Sequence, residues 1–246
     1  MIEVRKLSKQ YTSRREGVIT AVKEVSFCCY PGEIFGLLGP NGAGKTTTLR
    51  MLSTLLRPTS GEAFLDQSPL SGPPLPILRK IGFLTAGTDL YRRLTVRESL
   101  EFFGQLHGLS GPDLKSRLQL LSDRLQLKDF IDRRTDKLST GMKQRASLAR
   151  VILHDPPVLI LDEPTNGLDL LSVRTILTFL EECRKEGKTI LFSSHNLAEV
   201  EKLCQRAAIL NRGSIGLCGT LEEIRSRHPS GQFEEAVFTV YAEEEK

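Results

Sequence analysis

The sequence predicts an α/β fold with a helical insertion, and three observations support this prediction. Strand-like apolar runs alternate with helical runs at both ends of the chain, which is typical of a parallel sheet covered by helices. The middle third, from about residue 89 to 154, is mainly helical, with leucines at helical spacing. A glycine-rich segment at residues 39–47 joins an apolar strand to a helix. These features indicate a helical subdomain inserted into an α/β core.

The glycine-rich segment reads GPNGAGKTT and has the GxxxxGK[ST] spacing of a phosphate loop. Its glycines let successive backbone amides turn toward phosphate oxygens, and the helix that follows adds the positive end of its dipole. The alternative is a chance glycine-rich turn, which the exact spacing and the flanking strand and helix disfavour. We therefore predict a nucleoside triphosphate site with Lys45 at the β- and γ-phosphates and the Thr46 hydroxyl on Mg²⁺. The predicted contacts are Gly39, Pro40, Asn41, Gly42, Ala43, Gly44, Lys45, Thr46 and Thr47.

The other elements follow from local periodicity, capping boxes and turn residues. Strands are predicted at residues 2–7, 22–29, 34–38, 62–65, 81–84, 158–161, 189–192, 208–210, 214–217 and 236–241. Helices are predicted at residues 46–56, 95–107, 113–127 and 139–153, and again after residues 196 and 220. The prolines of residues 68–76 predict a surface loop.

Composition narrows the class of protein. The 246 residues, 39% apolar and 26% charged, suit one core with an inserted subdomain or two small domains. Five cysteines without a CxxC spacing favour a reduced cytosolic chain over a disulfide framework or a zinc site. No apolar run reaches the roughly 18 residues of a membrane span, and no signal-peptide core is expected at the N-terminus. The net charge of +4 and scattered arginine pairs permit nucleic-acid binding without indicating it.

The run VLILDE at residues 158–163 describes a strand buried on both faces and ending in two carboxylates. Ligands bind at the carboxyl ends of such strands, whereas the alternative is a solvated acidic turn. We predict that Asp162 holds Mg²⁺ and that Glu163 orients or deprotonates the attacking water. His195 also follows a strand, so it belongs to the same predicted edge, while the other histidines are interpreted as structural.

Two weaker signals concern Ser139 and Tyr11. Ser139 is a credible N-cap whose helix start could bind an anion, although a plain capped helix is the simpler interpretation. Tyr11 follows the first strand and could stack on a base, although packing is the commoner role of an isolated tyrosine.

Four segments in order resemble the ATP-binding cassette family. GPNGAGKTT, LSTGMKQ at 138–144, LILDEPTNGLD at 159–169 and SSH at 193–195 look like its Walker A, signature, Walker B with D-loop, and switch-histidine motifs. The resemblance covers about residues 1–220 and implies a RecA-like core with an antiparallel β-subdomain and an inserted α-helical subdomain. It also implies that Tyr11 stacks on adenine and that His195 is catalytic beside Glu163.

The resemblance further implies a head-to-tail dimer, in which the signature of one copy meets the ATP held by the other. Ser139, the Gly141 amide and the helix start would form that second phosphate site, with Asp169 in the loop between the two sites. We expect a single cassette, with residues 1–88 and 155–220 forming the nucleotide-binding core and β-subdomain. Residues 89–154 would form the helical subdomain and 221–246 a C-terminal extension.

The chain departs from the family pattern at Ala86, where a glutamine usually contacts Mg²⁺ and signals to the permease. Thr85, Thr88 or Asp89 could partly substitute for that glutamine. Thr140 and Met142 also differ from the usual LSGGQ signature, which is interpreted as a subfamily feature.

Within the family, the chain is similar to NatA-type ATPases assigned to sodium export. This similarity implies an ATPase on the cytoplasmic face of a membrane, held there by a separate permease, with ATP and Mg²⁺ as ligands and no nucleic acid expected. The alternatives are a soluble cassette ATPase acting on DNA or ribosomes and a non-hydrolysing scaffold gated by ATP. A GTPase is disfavoured because no NKxD motif follows the phosphate loop.

Overall fold

A computed structural model describes residues 1–13, 17–85 and 90–242. The strands are β1 (Ile2–Ser13), β2 (Gly17–Cys29), β3 (Ile34–Leu38), β4 (Ser60–Leu65), β5 (Ser68–Pro69), β6 (Ile81–Leu84), β7 (Val158–Asp162), β8 (Thr189–Ser194), β9 (Arg206–Asn211) and β10 (Ser214–Thr220). The α-helices are α1 (Lys45–Leu52), α2 (Pro74–Leu78), α3 (Val96–Leu106), α4 (Gly111–Arg124), α5 (Thr140–Ile152), α6 (Leu170–Lys185), α7 (Leu197–Leu203), α8 (Leu221–Arg225) and α9 (Phe233–Ala242). The described part of the chain contains no helix with the length and apolar character of a membrane span.

Two sheets organise the chain. One has the order β2-β1-β4-β5 with antiparallel pairing throughout. The other has the order β10-β9-β3-β8-β7-β6, in which β9, β3, β8, β7 and β6 pair in parallel and β10 pairs antiparallel at one edge. The predicted α/β phosphate-loop fold with an antiparallel β-subdomain is therefore confirmed.

The central strands β3, β7 and β8 are buried along their whole length. Their apolar side chains face two clusters, one on each side of the sheet, so helices and the second sheet cover both faces. Helix α3 packs on α4 and α5, and their buried leucines join the same cluster as one face of the sheet. The predicted limits of the helical subdomain, residues 89 and 154, stay a prediction.

The C-terminal segment corrects one expectation. Residues 236–241 were predicted as a strand, but they belong to helix α9. Their valines and aromatic residues favour strands in isolation. The buried positions Phe233, Ala236, Val237 and Val240 instead recur every three or four residues, which places them on one face of a helix. That face packs on β10, where Gly216 lies directly against Val240. The proline-rich loop also contains two short elements, β5 and α2.

Two histidines join α3 to the segment after α5. The rings of His107 and His154 stack with their centroids 3.9 Å apart and their planes 4° apart. Burial lowers the pKa of His154 to about 4, with the His107 charge as a second cause, and burial also lowers the pKa of His107. Both imidazoles are therefore harder to protonate in the folded chain than in the unfolded chain.

This pair predicts a loss of stability in mild acid. The pKa of His154 is depressed by folding, so between pH 6.5 and about 4 the unfolded chain binds more protons and gains stability relative to the folded one. Because His154 is only partly buried and solvent screens its charge, we expect wild type to lose roughly 1–2 kcal/mol more unfolding free energy than His154→Phe between pH 7 and pH 4. Urea unfolding at both pH values measures this difference, and His228→Phe, at a half-buried histidine outside the pair, is the control that leaves the pair intact. Equal losses in wild type and His154→Phe would contradict the prediction.

Candidate nucleotide site

The phosphate loop, Asp162, Glu163 and His195 meet at one edge of the parallel sheet. Strand β8 lies between β3 and β7, with Leu38 opposite Ser194 and Asp162 opposite Ser193. Since all three strands run in the same direction, the residues that follow them emerge side by side. The sequence predicted each of these strand ends separately, and the strand order brings them together.

The phosphate loop connects β3 to α1. Gly44 has φ 102°, a left-handed value that is strained for other residues. A Cβ at Gly39 would lie 2.5 Å from the Leu210 carbonyl oxygen, so the loop lies directly on β9. Helix α1 begins at Lys45 without a side-chain cap, which leaves its first amides available to phosphate oxygens.

Lys45 is buried at the base of this loop. Its Nζ donates to the carbonyl oxygens of Gly39 at 2.6 Å and Pro40 at 3.1 Å. The same Nζ lies 3.2 Å from Glu163 Oε1, and the lysine side chain is 5% exposed. The ammonium group is therefore held between the loop and the Walker B-like carboxylate.

Glu163 lies between Lys45 and His195. Its backbone has φ 47°, a left-handed value that costs energy in a residue with a side chain. The Glu163 amide donates to Ser193, to Oγ at 3.0 Å and to the carbonyl at 3.2 Å, which holds this turn in place. Its Oε2 lies 3.0 Å from His195 Nδ1. One carboxylate thus contacts both predicted functional side chains.

Asp162 is 7% exposed and is held by two hydroxyl groups. Ser193 Oγ donates to its Oδ1 at 2.8 Å, and Thr85 Oγ1 donates to its Oδ2 at 3.3 Å. Sequence reasoning missed Ser193 as a contact, although its position at the end of β8, two residues before His195, was a usable signal. Thr85 is one of the residues expected to substitute for the missing glutamine, and it contacts the predicted Mg²⁺ ligand directly. Ala86, Thr88 and Asp89 lie outside the described residues.

The donor set suits Mg²⁺ better than a softer metal. Asp162 offers a carboxylate and Thr46, in the first turn of α1, offers a hydroxyl, which are the oxygen donors that Mg²⁺ prefers. No group of three or more histidine, cysteine or acidic residues in the described part of the chain could hold a metal by itself. Mg²⁺ commonly takes its remaining ligands from phosphate and water.

The signature-like segment lies against the D-loop-like segment. Ser139 caps α5, accepting a hydrogen bond from the Met142 amide at 3.3 Å, and Asp169 caps α6 through Ser172 at 2.8 and 2.9 Å. The hydrogen bonds from Ser172 hold the pKa of Asp169 below its usual value. Gly141 packs against Ser172 and Asp169. Among the described residues, no hydrogen bond or ion pair joins Ser139 or Gly141 to residues 39–47.

Gly141→Ala is expected to disturb this contact. The added Cβ would overlap the Ser172 hydroxyl and lie 3.0 Å from Asp169 Oδ2, so it displaces the α6 cap. We expect a loss of roughly 1–3 kcal/mol in unfolding free energy, although alanine is otherwise the better helix residue. Adding Ser172→Ala should recover part of the loss because it removes the overlapping oxygen. Urea unfolding measures both variants beside exposed Thr140→Ala, and a fully stable Gly141→Ala would contradict the prediction.

Tyr11 lies on the antiparallel sheet, opposite Ile19 of β2. Its side chain is 41% exposed and Lys9 Nζ lies 5.4 Å from the ring centroid. Further along β2, the Ala21 carbonyl packs against Gly44, and the Lys23 amide donates to the Gly213 carbonyl. Strand β2 therefore connects the Tyr11 hairpin to the phosphate loop, and base stacking by Tyr11 stays a prediction.

Comparisons with known proteins identify the family. The model of the ABC transporter family matches residues 22–166. The chain is 39% identical over 225 residues to the ABC transporter ATP-binding protein NatA of Bacillus subtilis (strain 168), covering 91% of each protein. It is also similar to a solved ATP-binding subunit of an ABC transporter, with a TM-score of 0.88 and 30% identity over 98% of this chain and 99% of that one.

A second solved structure shares the fold. It is the dimeric structure of a post-hydrolysis state of the ATP-binding cassette MJ0796 bound to ADP and Pi, with a TM-score of 0.82 and 27% identity. The match covers 89% of this chain and 98% of that one. The geometry at the sheet edge and these matches lead to one conclusion. The chain belongs to the ABC transporter family and is one of its ATP-binding, ATP-hydrolysing subunits.

Proposed function

We propose that this chain drives an exporter by closing head to tail with a second copy around two molecules of Mg-ATP and coupling their hydrolysis to a separate permease. The observation that carries the proposal is the position of Glu163, with Lys45 at 3.2 Å and His195 at 3.0 Å. A general base must lie within hydrogen-bond reach of its proton, and Glu163 is held at the strand edge where the γ-phosphate would lie.

Because Lys45 contacts Glu163, ATP binding would change the contacts of the proposed base. A γ-phosphate carries more charge than a carboxylate and would compete with Glu163 for the lysine ammonium. When Lys45 turns to the phosphate, Glu163 Oε1 is released to accept a proton from water. His195 contacts the other oxygen, Oε2, so it can hold the carboxylate in place while this exchange occurs.

The residues around Asp162 fit a divalent cation. Asp162 and Thr46 would hold Mg²⁺, which when bound neutralises phosphate charge during phosphoryl transfer. The hydroxyls of Ser193 and Thr85 orient the Asp162 carboxylate from two sides, so they fix the direction in which it can bind the cation.

A second copy would complete the site. Ser139, the Gly141 amide and the start of α5 form a phosphate-binding arrangement that lies beside Asp169 in its own subunit. Similarity to a dimeric cassette supports pairing of this arrangement with the phosphate loop of another copy. Loss of the γ-phosphate would then remove contacts that hold the dimer closed.

The resemblance to NatA-type ATPases supports a role in export, with sodium as the specific candidate. This chain would lie on the cytoplasmic face of the membrane, held there by a separate transmembrane permease. Among the described residues, the nucleotide site offers no group that would select the transported ion, so the permease would determine the substrate.

The test is phosphate release by the purified chain with ATP, with and without Mg²⁺, together with light scattering. We expect Mg²⁺-dependent phosphate release and an ATP-dependent shift from monomer to dimer. An ATP-dependent dimer without phosphate release, also in the presence of the permease, would favour the gated scaffold. Salt-sensitive nucleic-acid binding at physiological ionic strength would favour a non-transport ATPase.

A further inference from the structure

Glu199 connects the segments that carry Glu163 and His195. Its Oε2 accepts hydrogen bonds from Thr165 Oγ1 at 2.7 Å and from Ser194 Oγ at 3.2 Å. Thr165 lies two residues after Glu163, and Ser194 immediately precedes His195. Both hydroxyl-bearing residues are buried, with exposed fractions of 6% and 4%. A single carboxylate oxygen on α7 therefore holds the end of β8 and the turn after β7.

The proposed catalytic pair, Glu163 and His195, is held in place by hydrogen bonds from neighbouring segments. The His195 side chain is 45% exposed and its ring contacts Glu163 at 3.0 Å, so the histidine has little packing of its own. On the other side, Gln144 Nε2 of α5 donates to the Pro164 carbonyl at 2.8 Å. The turn that carries Glu163 is thus held between the signature helix α5 and the helix α7 that follows His195.

The geometry also explains why an acidic residue suits this position. An ionised carboxylate accepts several hydrogen bonds and donates none, so it can satisfy two buried hydroxyls at once. Such charge-assisted hydrogen bonds are shorter and stronger than those between neutral groups. The adjacent cap adds rigidity, because Asn196 Oδ1 accepts from the Ala198 amide and the Asn196 amide donates to Ser194 Oγ.

We propose that Glu199 is a positioning residue for hydrolysis, which fixes Glu163 relative to His195 through Thr165 and Ser194. Glu199 is not one of the reacting groups, and it acts on them through the hydroxyls of Thr165 and Ser194. The inference rests on the proposed roles of Glu163 and His195. Thr165 lies in the segment that continues to Asp169, the residue predicted to lie between the two sites of the dimer. The hydrogen bonds of Glu199 therefore link that segment to the one that carries His195.

The test compares kcat and KM for ATP in Glu199→Ala, Glu199→Gln and Thr165→Val. We expect Glu199→Ala to lower kcat about tenfold and to change KM less than twofold, because the misplaced groups act in the chemical step rather than in ATP binding. Glu199→Gln keeps an acceptor oxygen and should stay within about threefold of wild type. Thr165→Val keeps the shape of threonine and should reproduce part of the Glu199→Ala loss.

The double variant Glu199→Ala/Thr165→Val should lose no more than Glu199→Ala alone, because Glu199→Ala already breaks the contact that Thr165→Val removes. The matched control is Glu201→Ala on the same helix, whose carboxylate binds Arg225 at 2.7 Å. It should keep wild-type kcat, and thermal unfolding should show all variants folded at the assay temperature. If Glu199→Ala does not fold, kcat is compared between Thr165→Val and Glu199→Gln. A normal kcat in Thr165→Val then contradicts the positioning role.

Glu163→Gln distinguishes this inference from the proposed function. If Glu163→Gln is inactive while Glu199→Ala keeps its kcat, the positioning role is wrong and the function stands. If Glu163→Gln hydrolyses ATP normally, the proposed base is wrong and the inference fails with it. A KM that rises in step with the loss of kcat, or additive losses in the double variant, would also overturn the positioning role.

Discussion

Glu163→Gln is expected to hydrolyse ATP at least about 100-fold more slowly than wild type while it still binds ATP. The amide keeps the size of the side chain and an oxygen that can contact Lys45 or His195, but it can no longer take a proton from water. Because ATP is bound and not consumed, the variant should accumulate as a closed dimer. Phosphate release and light scattering at the same ATP concentration measure both effects.

The matched control for this variant is Glu222→Gln, an exposed residue of α8. It should release phosphate at the wild-type rate and show the wild-type ratio of monomer to dimer. Wild-type turnover in Glu163→Gln would rule out Glu163 as the base. A silent variant that stays monomeric with ATP would instead indicate that Glu163 is needed to bind nucleotide or close the dimer.

Lys45→Ala is expected to weaken ATP binding about 100-fold, with a corresponding loss of turnover at low ATP. The lysine is the cation that the structure places in the phosphate loop, and its charge-assisted hydrogen bonds to phosphate are worth roughly 1.5–3 kcal/mol each. Without it, the Gly39 and Pro40 carbonyls and the Glu163 carboxylate would face the phosphates uncompensated. Equilibrium binding of a fluorescent ATP analogue measures the affinity.

Three further variants sharpen this second prediction. Lys45→Arg keeps the charge but should also bind ATP poorly, because the Lys45 side chain is only 5% exposed and a planar guanidinium needs different geometry from a compact ammonium. Lys115→Ala, on the exposed side of α4, should bind ATP as wild type does. The double variant Lys45→Ala/Glu163→Gln should stay monomeric at ATP concentrations that close Glu163→Gln. A dimer there would contradict the role of Lys45.

The sequence alone was sufficient for the class of fold and for the segments that form the candidate nucleotide site. The spacing from Gly39 to Thr46 and the run ending at Asp162 and Glu163 are local patterns, and backbone geometry ties them to phosphate and to a buried strand end. Capping boxes form at Thr95 and Thr220, where two helices were predicted to begin, since each box depends on residues three positions apart.

Long-range packing decided what local patterns could not. Residues 236–241 have strand-forming side chains, but the contact of Val240 with Gly216 of β10 favours a helix. The sequence around Val240 does not predict that contact. The hydrogen bonds from Thr85 and Ser193 to Asp162 join residues 77 and 31 positions apart. Sequence spacing contains no information about such pairs until the strand order is known.

The sequence by itself determined the family, the phosphate-loop motif, and the acidic pair and histidine that come at strand ends. The tertiary structure decided how these groups act together. Placing β8 between β3 and β7 puts Glu163 in contact with both Lys45 and His195, and it puts Glu199 where one oxygen can hold the two segments. The physical reason is that a motif fixes the chemistry of its own residues, whereas distances between motifs are set by the packing of the whole sheet.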